Sequence, residues 1–148
     1  MSDDLLNESS QGLAKSAQNL FSVDLLGGNQ IRLLKNADVA FPCMIEDVDK
    51  AQHSCDMEFY IWSDGGRADE FGEALIRAVR RGVKVRLLVD ALGSRAFLRG
   101  SQFKKMQDAG IQIMAAMPSG LLRSFFARPD LRVHRKILVI DQTLAFTG

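Results

Sequence analysis

Apolar positions along this chain change their period several times, and the changes mark its elements. Residues 57–62 (Met-Glu-Phe-Tyr-Ile-Trp) are aromatic and β-favouring and predict a strand, which Ser63-Asp64-Gly65-Gly66 breaks. Phe71, Ala74, Leu75, Ala78 and Val79 then recur at helical spacing. Asp69 and Glu70 suit the N-terminal end of that helix dipole, and Gly82 ends the element. Residues 83–90 alternate at first and become wholly apolar, as a buried parallel strand does. A further helix is expected around residues 102–109, stopped by Gly110, and then a strand at 111–116. Residues 133–141 and 144–147 predict two closing strands joined tightly through Gln142-Thr143 as a hairpin. Upstream, residues 30–34 read as a first strand, and Asn36 or Asp38 as the cap of a helix running to about Gln52. Residues 118–130 read as a basic, aromatic loop or short helix.

Strands alternating with helices predict an α/β fold whose sheet is largely parallel at its start. At 148 residues the chain suits one domain with a sizeable core and is too short for two of ordinary size. Residues 1–28 are polar and read as a loosely ordered lead-in with one short helix, leaving 29–148 as the domain.

The formal charge of +1 hides an asymmetry. Residues 1–76 hold 5 Lys/Arg against 14 Asp/Glu, whereas residues 77–136 hold 14 against 3, so the second block should meet an anionic partner. Cys43 and Cys55 lack a metal-ligand spacing, which points to reduced thiols and no structural metal. No apolar run approaches the roughly 18–20 residues needed to span a bilayer, and no secretory signal opens the chain. Any membrane contact is therefore expected to be peripheral.

Chemistry concentrates in His134-Arg135-Lys136-Ile137-Leu138-Val139-Ile140-Asp141, an H-x-K-x4-D run. On an extended segment an imidazole and an ammonium two positions apart point to one side. That pairing suits attack on phosphorus beside a cation that holds the phosphate oxygens. Neutral imidazole can act as nucleophile or as general acid–base, its ordinary pKa being about 6.5. Other candidates are less specific. His53 is solvent-facing or capping; Asp90 ends a buried strand, as a functional group or as a turn former; Gly93-Ser94 forms a tight turn. Residues 121–128 (Leu-Leu-Arg-Ser-Phe-Phe-Ala-Arg) either rest on a lipid surface, with Arg123 and Arg128 on anionic head groups, or pack Leu122, Phe125 and Phe126 into the core.

With its neighbours, the motif resembles the phospholipase D superfamily and, within it, the bacterial cardiolipin synthases. The similar residues are Phe59-Tyr60-Ile61-Trp62 with Gly65-Gly66, the run from Arg81 to Asp90 with Gly93-Ser94 and Phe97, Asp130-Leu131-Arg132-Val133-His134-Arg135-Lys136, and Ala145-Phe146-Thr147-Gly148. The resemblance covers about residues 29–148. It implies a phospholipase D-like α/β/α sandwich, a mixed, largely parallel sheet flanked by helices, present here as one incomplete catalytic half.

It also implies a phosphatidyltransferase that converts two phosphatidylglycerols to cardiolipin and glycerol through a phosphohistidine. His134 would be nucleophile or general acid, Lys136 would neutralise the non-bridging oxygens, and Asp141 would orient a histidine. Arg123, Arg128, Arg132 and Gly148 are the candidate substrate contacts, and neither cofactor nor metal is expected. The implied partners are phosphatidylglycerol, an anionic membrane surface on the cytoplasmic side, and a second H-x-K-x4-D half in cis or from a homodimer. Nucleic acid is disfavoured, because the aromatics cluster in an apolar loop and offer no stacking platform.

The chain departs from the family in three respects. It ends at Gly148, where the family continues into a Ser and an Asn at the phosphate site. The second motif and the membrane-spanning segments are not in it, and Gln142 stands where many members have Gly. An N-terminal half with little or no turnover of its own is therefore expected. The alternatives are a phospholipase D or a dimeric phosphodiesterase or nuclease of the same superfamily, and a non-catalytic anionic-lipid-binding module.

Overall fold

A computed structural model describes residues 8–22, 24, 26–116 and 134–148. The chain divides into two compact units, Met1–Leu33 and Leu34–Gly148. In the first, α1 (Glu8–Phe21) is the one described element, and it leaves Leu13 and Leu20 each 76% exposed. The strand expected at residues 30–34 is not formed. Ile31 and Leu33 are 98% and 90% exposed, and apolar alternation makes a strand only where a neighbouring strand pairs with it.

The second unit opens with α2 (Ala37–Lys50), and Asn36 is its cap: the extended Asn36 backbone lets its side-chain oxygen accept the Val39 N–H at 3.1 Å. The alternative cap, Asp38, sits in the first turn and pairs with Arg67 at 2.7 Å. Next come β1 (Ser54–Phe59), α3 (Arg67–Arg80), β2 (Lys84–Asp90), a 3-10 turn (Phe97–Arg99), α4 (Ser101–Asp108), β3 (Gln112–Ala116), β4 (Lys136–Ile140) and β5 (Leu144–Thr147). Gly82, at φ +92°, supplies the left-handed residue that ends α3 and lets the chain enter β2.

These strands form one mixed sheet in the order β3-β2-β1-β4-β5. β1, β2 and β3 are parallel, β4 runs antiparallel to β1, and β5 returns antiparallel to β4. The parallel start and the closing hairpin therefore stand as expected. Both parallel crossovers step the same way along the sheet, so right-handed connection puts α3 and α4 on one face. Register aligns Ile113, Leu87, Met57, Leu138 and Phe146 in a row across that face. Phe71, Leu75 and Ile76 of α3, Met44 and Val48 of α2, and Met106 of α4 join the same core.

One boundary moves. The strand expected at 57–62 lies three residues earlier, at Ser54–Phe59. Pairing with β2 ends at Phe59↔Val89, because β2 continues against β3 while residues 60–62 turn away to a different set of partners. Among the described residues no helix is long and apolar enough to cross a membrane.

Candidate active site

The motif straddles β4 and puts its residues at opposite ends. Within the strand Leu138 and Ile140 are buried, and Lys136 shares their face but lies beyond the core, exposed. Alternation assigns His134, two residues earlier and also exposed, the same side. Lys136 pairs across with Phe59 at the carboxyl end of β1. On its other flank the β4–β5 register runs to Ile137↔Thr147, and its continuation puts Gly148 opposite Lys136. Lys136 has no carboxylate partner among the described residues.

Tyr60 fixes this end. Its backbone N–H donates to the Arg135 carbonyl at 3.1 Å, and its ring meets the His134 imidazole edge-on, with centroids 4.5 Å apart and planes at 69°. The segment behind it is anchored in turn. Ser94 Oγ accepts the Trp62 N–H at 2.9 Å and donates to the Tyr60 carbonyl at 3.3 Å, and Ser94 is fully buried. Trp62 lies 5% exposed, stacked on Phe71 at 5.8 Å, with its indole N–H on Gln102 Oε1 at 2.9 Å. At Gly93 any side chain would collide: a Cβ there would stand 2.6 Å from the Tyr60 carbonyl oxygen.

Asp90 builds the same corner. It is 2% exposed, and its Oδ1 accepts the N–H groups of Leu92 at 2.9 Å and Gly93 at 2.7 Å. Of its two readings, the turn-forming one has direct contacts. Gly93-Ser94 does more than turn the chain, since Ser94 ties β2's exit to the segment beside His134. Nothing in the sequence revealed this link; a Gly-Ser pair just after a strand end, where α/β folds carry functional loops, was the available signal.

Asp141 occupies the other end of β4, seven residues from His134, an extended span of about 23 Å at about 3.3 Å per residue. Its Oδ1 accepts the backbone N–H groups of His53 at 2.7 Å and Ser54 at 2.8 Å, and its Oδ2 that of Gln52 at 2.9 Å. Its own N–H donates to the Ser54 carbonyl at 2.9 Å. The expectation that Asp141 orients a histidine is corrected here as far as His134 is concerned: distance excludes the contact, and the carboxylate is committed to the loop before β1. Hydrogen bonds from the Gln52 and Ser54 backbone hold its pKa below the usual carboxylate value, with the His53 N–H adding to them.

Thr143 N–H closes the adjoining turn on the Ile140 carbonyl at 3.1 Å, with φ +50° at Asp141 and +58° at Gln142. Two successive left-handed residues are the type I′ pattern, which favours Asn, Asp and Gly. Asp141 fits that preference and Gln142 does not.

His53 is exposed, and its link to the motif is through its backbone. Cys55 is buried beneath this end; desolvation, with Asp141 and Asp56 nearby, pushes its thiol up to about 11, so it is no nucleophile near neutral pH. Arg123, Arg128, Arg132 and the apolar-basic segment 121–128 lie outside the described residues.

Residues 44–148 match the family described as cardiolipin synthase, PLD-like domain. The chain belongs to this family. It is 45% identical over 121 residues, 82% of its length, to cardiolipin synthase A of Cronobacter sakazakii, and equally to that of Erwinia tasmaniensis. It spans 25% of the length of those relatives. Among solved structures it is similar to NucT from Helicobacter pylori, with a TM-score of 0.52 and 18% identity over 74% of this chain and 64% of that one. At that identity the likeness speaks for the fold alone.

Proposed function

We propose that this family member contributes His134 and Lys136 as one half of a phosphatidyl-transfer site that makes cardiolipin from two phosphatidylglycerols. The observation that carries the reading is the exposed His134–Lys136 pair at the sheet end, held by Tyr60, in a chain of the cardiolipin synthase family. Two histidines are needed for the chemistry. One attacks phosphorus, forming a phosphohistidine while glycerol leaves with a proton from the other. The hydroxyl of a second phosphatidylglycerol then displaces the histidine and returns that proton. His134 can take either part. Lys136 holds the non-bridging oxygens while negative charge builds on them.

The second histidine comes from another H-x-K-x4-D half, in cis or from a second copy, and a lone half turns over little or nothing. Lipid is favoured over nucleic acid by the family, and the anionic membrane surface is the expected neighbour. Three proteins test this: the chain, a version extended through a second H-x-K-x4-D motif, and the extended version with His134→Ala. Each is incubated with phosphatidylglycerol vesicles and with plasmid. Cardiolipin and glycerol should appear with the extended protein alone. Full transfer by the folded His134→Ala protein would contradict the assignment, and plasmid nicking without lipid transfer would move it to the nucleases.

A further inference from the structure

We infer that Tyr60 is a positioning residue for His134, and that the Gly93-Ser94 corner after β2 sets where Tyr60 stands. The inference rests on the reading of His134 as a reacting group, yet its observations are independent of any reaction. An exposed histidine at a strand end has a free χ1 and χ2 unless something restricts the ring. Here one residue makes both restraints. The Tyr60 N–H fixes the backbone carbonyl next to His134, and the Tyr60 ring lies edge-on to the imidazole at 4.5 Å, within the range of favourable aromatic pairs.

Tyr60 in turn is not held by β1, whose pairing with β2 stops at Phe59. It is held from behind. Ser94 Oγ bridges the Tyr60 carbonyl and the Trp62 N–H, and Gly93 leaves room for the Tyr60 carbonyl that a Cβ would take at 2.6 Å. Asp90 fixes the corner through the N–H groups of Leu92 and Gly93. The route thus runs from the end of β2, through Ser94, to the His134 ring, and each step is a direct contact. A site that must aim one imidazole nitrogen at phosphorus gains from such restraint, because misplacement by about 1 Å costs about 100-fold in rate.

His53 is the only other histidine, which makes the test direct. The imidazole C–H resonances are recorded by two-dimensional proton–carbon NMR on the whole chain, with His53→Gln assigning the pair. Tyr60→Leu should shift the His134 resonances and broaden or narrow them, leaving His53 in place, whereas Tyr60→Phe should keep them near their original positions. Ser94→Ala should move His134 in the same direction as Tyr60→Leu but less far. If His134 keeps its resonance positions in folded Tyr60→Leu protein, the inference fails. If the Tyr60 variant does not fold, Ser94→Ala decides: unmoved His134 resonances in that protein overturn the proposed route. None of these readouts involves turnover, so loss of the catalytic reading would show separately, as unchanged lipid transfer by an extended His134→Ala protein.

Discussion

The two ends of β4 carry the same short motif and have opposite characters. At its start His134 and Lys136 are exposed, and Lys136 meets no carboxylate among the described residues. At its finish the Asp141 carboxylate is filled by three backbone N–H groups. One end leaves its basic groups exposed, and the other uses its charge to pin a loop. A spacing that reads as one constellation is therefore two devices joined by a strand. The strand spaces them too far apart for the aspartate to serve its own histidine.

Substitutions at the two ends should separate these roles. The largest effect is expected from His134→Ala in a protein extended through a second motif. Phosphatidyl transfer should fall by about 10⁴-fold or more with thermal stability unchanged, since the proposed function makes His134 a reacting group. Lys136→Met should cost about 10²–10³-fold in the same assay, as loss of one preorganised donor to the transition state does. It too should leave the melting temperature alone. A matching fall in melting temperature for either variant would mean that this end is architectural as well.

Asp141→Asn should do the reverse. An amide keeps one acceptor but points a donor at the N–H groups of the loop, so the melting temperature should drop while the folded protein still transfers lipid. The acid dependence follows from the depressed pKa of Asp141. Its stabilisation is fully present above the ordinary carboxylate value of about 3.9 and is lost as pH falls through the lower folded value. Denaturant melts of wild type and Asp141→Asn should therefore differ at neutral pH and converge in strong acid. A gap that stays constant with pH would contradict the carboxylate clamp. The smallest effect belongs to the turn beside it. Gln142→Gly should stabilise the chain by about 1 kcal/mol, because glycine takes the φ of +58° without steric cost.

Much of this architecture was legible along the chain. Period-two and helical runs located β2, α3 and α4 closely, since each is bounded by a glycine or a charged first turn. The misplacement of β1 has a physical cause: residues 59–62 are aromatic or β-branched and suit a strand, and propensity does not say that Trp62 will leave it to stack on Phe71. The strand expected at 30–34 failed for want of a pairing partner. At the candidate site, the chemistry proposed for His134 and Lys136 rests on residue type and alternation, which are local. The work of Asp141 does not, because its partners at residues 52–54 lie 87 to 89 positions away. The link from Ser94 to Tyr60, across 34 positions, was hidden for the same reason.

The division of the motif is tested most directly by Asp141→Asn in the extended protein, with lipid transfer measured well below its melting temperature. Transfer near the wild-type rate, together with a lowered melting temperature, is the predicted result. Unchanged melting with transfer lost to the extent seen for His134→Ala would contradict it, and would return Asp141 to the catalytic group.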